Sequence, residues 1–142
     1  MNSQSIVLTL LLALCSPFAW AELAVVAHPD KKMISLDRAQ LVNIYMGRYR
    51  QWPDGGAALP ADLKDVKERF YRALVDKDLA EINSYWARLV FSGQVSPPVQ
   101  LKSVTQVLEY VRRNQGALAF IDEADVPDDL KVVARLTEAA PQ

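Results

Sequence analysis

The stretch that decides the fold class is residues 102–122, which read KSVTQVLEYVRRNQGALAFID. Ser103 and Gln106 form the Ser-x-x-Gln pattern that predicts a capping box at a helix start. Apolar residues then recur at helical spacing as far as Val111. Beyond Gly116, residues 117–121 are apolar and predict a short buried strand. A capped helix that leads through a glycine turn into a buried strand is typical of α/β architecture.

Three further strands are predicted outside this stretch. Residues 23–27 and 130–136 are apolar runs bounded by turn residues. Residues 57–63 are predicted to form an interrupted edge strand, because Pro60 cannot donate to a ladder.

Three further helices are also predicted. Ser35 is expected to cap the first, and Gly47 to end it where a positive φ is needed. Asp65, with Glu68 three residues later, resembles a capping box for the second. Asp78 is expected to cap the third. The order of elements predicts an α/β fold with a small mixed sheet of about four strands covered by about four helices.

The same periodicities predict which side chains form the core. The expected core residues are Val25, Leu41, Phe70, Trp86, Leu89, Val107, Val111 and Phe120.

The N-terminal residues are typical of a secretory signal peptide. Residues 6–14 are apolar, and Ala19-Trp20-Ala21 fits an A-x-A cleavage site. We therefore predict a signal peptide over 1–21, a domain over 22–136, a C-terminal tail over 137–142 and a periplasmic location. A lipoprotein is the alternative, since residues 12–15 resemble a lipobox, but that motif requires a small residue where Leu14 stands.

Composition narrows the possible functions. The formal net charge is −1, so no basic excess favours nucleic acid as a partner. Cys15 is the only cysteine, and its removal with the signal peptide would exclude disulfides and thiolate metal sites. His28 is the only histidine, which makes a poor metal site. No serine or carboxylate pair has a catalytic context, and we expect no catalytic residue, no metal and no cofactor.

The best candidate for a binding site is the helix start at Ser103. Its hydroxyl and the backbone amides of Val104 and Thr105 could receive a small anion, because a helix N-terminus carries unpaired donors and a favourable dipole. The alternative interpretation is that Ser103 only caps its own helix.

Four motifs together resemble the phosphate-binding branch of the type 2 periplasmic substrate-binding proteins. Residues 35–47 (SLDRAQLVNIYMG) resemble that family's L-s-x-x-q-L-x-x-I-F-x-G helix, and residues 52–55 (WPDG) resemble the W-x-d-G that follows it. Residues 67–70 (KERF) resemble R-x-x-F, and residues 116–120 (GALAF) resemble G-A-I-G-Y. The order and spacing of the motifs match over most of the chain.

The resemblance implies a fold and a function. It implies one lobe of a periplasmic binding protein, non-catalytic binding of phosphate or another small oxyanion, and service to an ABC transporter or a sensor. Lys67 occupies the position of the family's arginine and is thereby a candidate ligand residue. A homodimer that completes a cleft is a further possibility.

The chain also differs from the family in two respects. The family's binding proteins close two lobes around the ligand, whereas 142 residues suit one lobe. The family's Gly-Ser-Gly-Thr type turn is replaced by residues 63–66 (LKDV), and Asp65 would place a carboxylate where an anion should sit. These differences favour an alternative function, a ligand-free interaction module that docks on a membrane transporter, sensor or porin.

Overall fold

The computed structural model describes residues 21–32, 35–93 and 95–138. Within these ranges the chain forms one five-stranded sheet in the order β3-β2-β4-β1-β5. The strands are β1 (Glu22–Ala27), β2 (Leu59–Leu63), β3 (Val99–Leu101), β4 (Ala117–Asp122) and β5 (Lys131–Thr137). The helices are α1 (Arg38–Tyr45), α2 (Lys67–Val75), α3 (Leu79–Phe91) and α4 (Val104–Arg113). The predicted α/β class with a mixed sheet and four helices is confirmed, and the sheet has one strand more than predicted.

Strand β1 lies inside the sheet and is antiparallel to both neighbours, with Val25 opposite Phe120 of β4 and Ala134 of β5. Strand β2 is parallel to β3 and to β4. Residues 23–27 are fully buried, which explains why β1 is a continuous apolar run rather than an alternating one.

The prediction that residues 57–63 form an edge strand is wrong, because β2 lies between β3 and β4. Pro60 is tolerated there because pairing with β3 begins only at Ala61, whereas Pro60 itself stands opposite Leu118 of β4. The strand at the edge is β3, which the sequence did not predict. It has three residues and follows Pro97 and Pro98, so it carries no periodic signal.

Two predicted helix starts are corrected. Asp37, and not Ser35, caps α1, since its carboxylate accepts from the Gln40 amide at 2.8 Å while the Gln40 side chain accepts from the Asp37 amide. Residues 64–66 form a 3₁₀ turn, so Asp65 caps nothing and α2 begins after Val66 without a side-chain cap.

Other predicted helix ends are confirmed. Asp78 caps α3 through a complete capping box with Glu81. Gly47 follows α1 with φ 76°, a conformation that favours glycine. Ser103 caps α4 by accepting from the Gln106 amide at 3.2 Å, but the Gln106 side chain accepts from the amide of Lys102 and so the box is shifted by one residue.

The core lies between the helices and the sheet. Of the predicted core residues, Leu89 is only half-buried and the others are buried. Phe70 of α2 stacks on Phe120 of β4 with ring centroids 3.8 Å apart, and Tyr45 of α1 meets Phe70 edge-on at 4.7 Å. In the part of the chain that the structure describes, no helix is long and apolar enough to cross a membrane.

Candidate functional site

The topology brings the starts of α2 and α4 together at the carboxyl-terminal end of strands β2 and β3. Leu63 ends β2 opposite Leu101, which ends the parallel strand β3. The chain therefore leaves both strands in the same direction and enters α2 and α4 there. Lys67 and the segment from Ser103 to Thr105 were singled out from the sequence. Both thus lie at the carboxyl-terminal end of these strands, where ligand sites of α/β sheets gather.

The start of α4 is accessible. Ser103 and Thr105 are exposed and Val104 is half-buried. The amides of Val104 and Thr105 precede the first intrahelical hydrogen bond, which Val107 donates to the Ser103 carbonyl at 3.1 Å. The amide of Gln106 is already bonded to the Ser103 hydroxyl. This arrangement can present two backbone donors and the helix dipole to an anion.

The Lys67 ammonium has two partners within the protein, and 17% of its side chain is exposed. It donates to Oε1 of Gln100 at 3.1 Å and lies 3.6 Å from Oδ2 of Asp62. Asp62 is the one buried charged side chain among the described residues, with 1% of its surface exposed. The lysine that the motif match placed at the ligand site therefore compensates a buried carboxylate.

Asp62 is satisfied on both of its oxygens. Tyr71 donates to Oδ1 at 2.9 Å and the Gln100 amide donates to Oδ2 at 2.8 Å. Burial raises the pKa of Asp62 above its ordinary value, and the bonds from Gln100 and Tyr71 together with the charge of Lys67 lower it in part. Burial also raises the pKa of Tyr71 well above its ordinary value, so this phenol is a neutral donor.

This polar network was missed from the sequence. Its one local signal is an acidic residue within an otherwise apolar strand, followed by Lys67 at the start of the next helix. The sequence could not show that Gln100, on a strand that was not predicted, completes the network.

A second cation at the same end of the strands, Arg69, is also paired. Arg69 donates to Oδ1 of Asp122 at 2.8 Å and to Oε1 of Glu138, so it ties α2 to the end of β4 and to the residue after β5. Asp65 is exposed and makes no cap.

His28 lies elsewhere. It follows the C-terminal end of β1. Because β1 is antiparallel to β4, His28 lies at the opposite end of the strands from Lys67 and Ser103. It lines a cavity of about 560 Å³ with Lys31, Trp52 and Asp54, and its Nδ1 accepts from the amide of Asp30 at 3.1 Å. Across the described ranges, no cluster of three or more His, Cys, Asp or Glu side chains could hold a metal ion.

Comparison with solved structures relates this fold to known proteins. The chain aligns with a structure from Clostridium perfringens described as a phosphate ABC transporter substrate-binding protein with bound phosphate, at TM-score 0.62 and 16% identity. It aligns with an ABC-type phosphate transport receptor from Vibrio cholerae at 0.63 and 18%, and with PstS from Borrelia burgdorferi at 0.60 and 13%. Over the aligned residues, the fold of this chain is that of these substrate-binding proteins.

The match covers 80% of this chain in all three cases, but 44%, 45% and 47% of the three solved chains. The chain thus spans less than half the length of these substrate-binding proteins, as a single-lobe form does. The resemblance read from the motifs is confirmed at the level of the fold. Family models and curated proteins give no match.

Proposed function

We propose that this chain is a non-catalytic, solute-binding-like protein that binds a small oxyanion such as phosphate at the start of α4, in the service of an ABC transporter or a sensor. The observation that carries the proposal is the accessible, Ser103-capped N-terminus of α4 at the carboxyl-terminal end of the strands. Support comes from the fold, which is shared with a substrate-binding protein solved with bound phosphate.

Binding at this site is expected to be weak. One lobe encloses a ligand on one side only, Lys67 is engaged by Asp62 and Gln100, and the exposed Asp65 repels an anion. We expect a dissociation constant on the order of millimolar, about −4 kcal/mol.

The test is a titration of the protein with phosphate, followed by amide chemical shifts and repeated with sulfate and acetate. Shifts are expected to concentrate at Ser103, Val104 and Thr105. Ser103→Asn and Ser103→Asp both retain a helix cap, but only the aspartate adds a negative charge. We therefore expect binding to survive in Ser103→Asn and to be lost in Ser103→Asp, while Ser103→Ala weakens it.

Two further variants complete the experiment. Asp65→Ser should strengthen binding, because it removes a repulsive charge. Ser84→Ala, which removes an exposed serine from α3, should leave binding unchanged. Shifts that fall elsewhere, or none at high phosphate, would reject the oxyanion function.

The second candidate function is an interaction module that has kept the fold and docks on a membrane transporter, sensor or porin, or on a second copy of itself. It is favoured by the internal pairing of Lys67, since the cation expected to meet a ligand already meets Asp62. An unchanged spectrum in phosphate together with specific association with a protein partner would select this function.

The periplasmic location is part of the proposal. The signal peptide lies almost wholly outside the described residues, and its support is the apolar run with the A-x-A pattern. Cleavage after Ala21 would leave Glu22, the first residue of β1, at the N-terminus. N-terminal sequencing and the mass of the exported protein test this, and a start at Cys15 with added acyl mass would contradict it.

A further inference from the structure

A cavity of about 550 Å³ lies beside the starts of β2 and β3, and a second cavity of about 450 Å³ shares part of its lining. The two cavities share Ile44, Tyr49 and Arg50. We call this surface the Tyr49–Val99 groove, and its walls include Ile44, Tyr49, Leu59, Trp86, Pro98 and Val99. It lies away from the start of α4, because Ser103 follows the end of β3 and the groove lies near its beginning.

The described chain has five exposed large apolar side chains, and three of them line this groove. The five are Tyr49 (59% exposed), Leu59 (39%), Val90 (50%), Phe91 (95%) and Val99 (44%). Tyr49, Leu59 and Val99 line the groove, and Val90 and Phe91 end α3 just before Gly93, which lines it too. Exposed apolar residues are normal when scattered, but a contiguous patch marks an interaction surface.

The charged side chains in the described lining of the groove are basic. Arg50 lines both cavities and Arg48 lines the second, and the described lining residues include no Asp or Glu, although the chain has 17 acidic residues. An occupant with carboxylates next to apolar side chains therefore complements this surface in charge as well as in polarity.

The groove also offers hydrogen-bonding groups to an extended backbone. Val99 belongs to β3, the outermost strand, which has a partner on one side only and so leaves backbone groups unpaired along its other side. An extended segment supplies both carbonyl and amide groups at regular intervals.

We propose that the Tyr49–Val99 groove binds an extended peptide segment of another protein, in which apolar side chains are flanked by Asp or Glu. The proposal rests on the second function above, docking on a protein partner, and shares no residue with the oxyanion site. A second copy of the chain fits less well, because a two-fold contact through this surface would bring its arginines together. A lipid surface fits less well because the surface is concave.

The experiment begins with a random heptapeptide display library, selected on the protein and counter-selected on the double variant Tyr49→Ala/Val99→Ser. We expect enrichment of peptides with apolar residues beside Asp or Glu. An enriched peptide is then synthesised and titrated, with amide shifts expected at Tyr49 and Val99 and not at Ser103. Arg48→Glu should weaken this binding about tenfold. Lys131→Glu, an equal change of charge on the exposed surface of β5 at the other edge of the sheet, should not.

The outcomes that overturn the proposal are distinct. They are no enrichment over the double variant, enrichment of basic peptides, and shifts centred outside the groove. Sedimentation with phosphatidylglycerol vesicles that is lost in Arg48→Glu, without peptide binding, would assign the groove to a lipid surface. Concentration-dependent self-association that Tyr49→Ala abolishes would assign it to a second copy. The phosphate titration reports at Ser103, so its failure is distinguishable from each of these.

Discussion

At the scale of single residues, Asp62 is the residue that most limits the proposed oxyanion site. A buried carboxylate must be paired or hydrogen-bonded, and the structure provides Tyr71, Gln100 and Lys67 for that purpose. The same network engages the Lys67 ammonium and so leaves it less available to an external ligand. Stability of the β2–α2 connection and affinity for an anion are thus opposing demands on one lysine.

The titration of Asp62 should make stability depend on pH. Its pKa is raised in the folded state, so between the unfolded pKa of about 4 and the folded value the native protein binds more protons than the unfolded chain. Stability from this group is therefore full below about pH 4 and is lost as the pH rises through the folded pKa. The difference in unfolding free energy between wild type and Asp62→Asn should fall over that window and then level off.

Urea unfolding of both proteins at a series of pH values measures this difference. The groups that titrate elsewhere cancel in it, because they are common to both proteins. A flat difference would show that Asp62 ionises in the native state as it does in the unfolded chain, and a difference that rises with pH would show that folding lowers its pKa.

Gly116 and Gly55 are needed for two different reasons, a close backbone contact and a positive φ. A Cβ on Gly116 would stand 2.1 Å from the carbonyl oxygen of Ala57, whereas Gly55 has φ 96° and open space around it. We expect Gly116→Ala to cost about 3 kcal/mol through overpacking, and Gly55→Ala about 1 kcal/mol through its backbone conformation. Because Trp52 Nε1 donates to the Gly116 carbonyl at 2.9 Å, Gly116→Ala should also shift the Trp52 indole resonance.

Thermal and urea unfolding rank the two variants, and the indole N–H signal reports the local change. Equal losses of stability with an unmoved Trp52 resonance would mean that the backbone at Gly116 can shift away from Ala57 at little cost.

At the scale of the elements, the helix starts show how a correct local pattern can still be misplaced. Asp65 and Asp78 are each followed three residues later by Glu, and both resemble capping boxes. Only Asp78 caps a helix, because residues 64–66 form a 3₁₀ turn that leads from β2 into α2. The length of β2, set by its pairing, fixes where the turn falls.

This difference predicts different results for the same substitution at the two positions. Asp78→Ala should lower the unfolding free energy by about 1 kcal/mol, as loss of a cap does. Asp65→Ala should change it by no more than about 0.5 kcal/mol, as an exposed substitution does. Chemical denaturation of both variants tests this. A comparable loss of stability in Asp65→Ala would support the capping box at Asp65 that the sequence suggested.

At the scale of the whole molecule, an aromatic cluster holds the helices on the sheet. Phe120 of β4 stacks on Phe70 of α2, and Tyr45 of α1 meets both rings and donates to the carbonyl of Ala61 at 3.2 Å. Residues distant in sequence thus meet at one point of the core, so that two helices and two strands depend on it.

Matched substitutions at a buried and an exposed phenylalanine test this. Phe120→Ala should cost about 3–5 kcal/mol, a large share of the total stability of a domain this size. Phe91→Ala should change stability by no more than about 0.5 kcal/mol, because Phe91 is 95% exposed. Thermal unfolding compares them, and a marked loss of stability in Phe91→Ala would mean that this side chain packs within its own chain.

The sequence by itself determined the elements whose signals are local. The strands at 23–27 and 117–121 are apolar throughout, and the helices that begin after Asp78 and Ser103 carry both a cap and an amphipathic stripe. These signals arise from hydrogen bonds and burial within a window of a few residues, so they can be read before any tertiary contact is known.

Only the tertiary structure decided the position of β2, the existence of β3, the pairing of Lys67 and the Tyr49–Val99 groove. Pro60 indicates an edge strand in isolation, but a proline can stand inside a sheet where the ladder on one side has not begun. Lys67 resembles a ligand residue until Asp62 and Gln100 are brought beside it. These features depend on pairing between strands that are distant in sequence. A short stretch of sequence cannot reveal such a contact, because the partner residue lies in another strand.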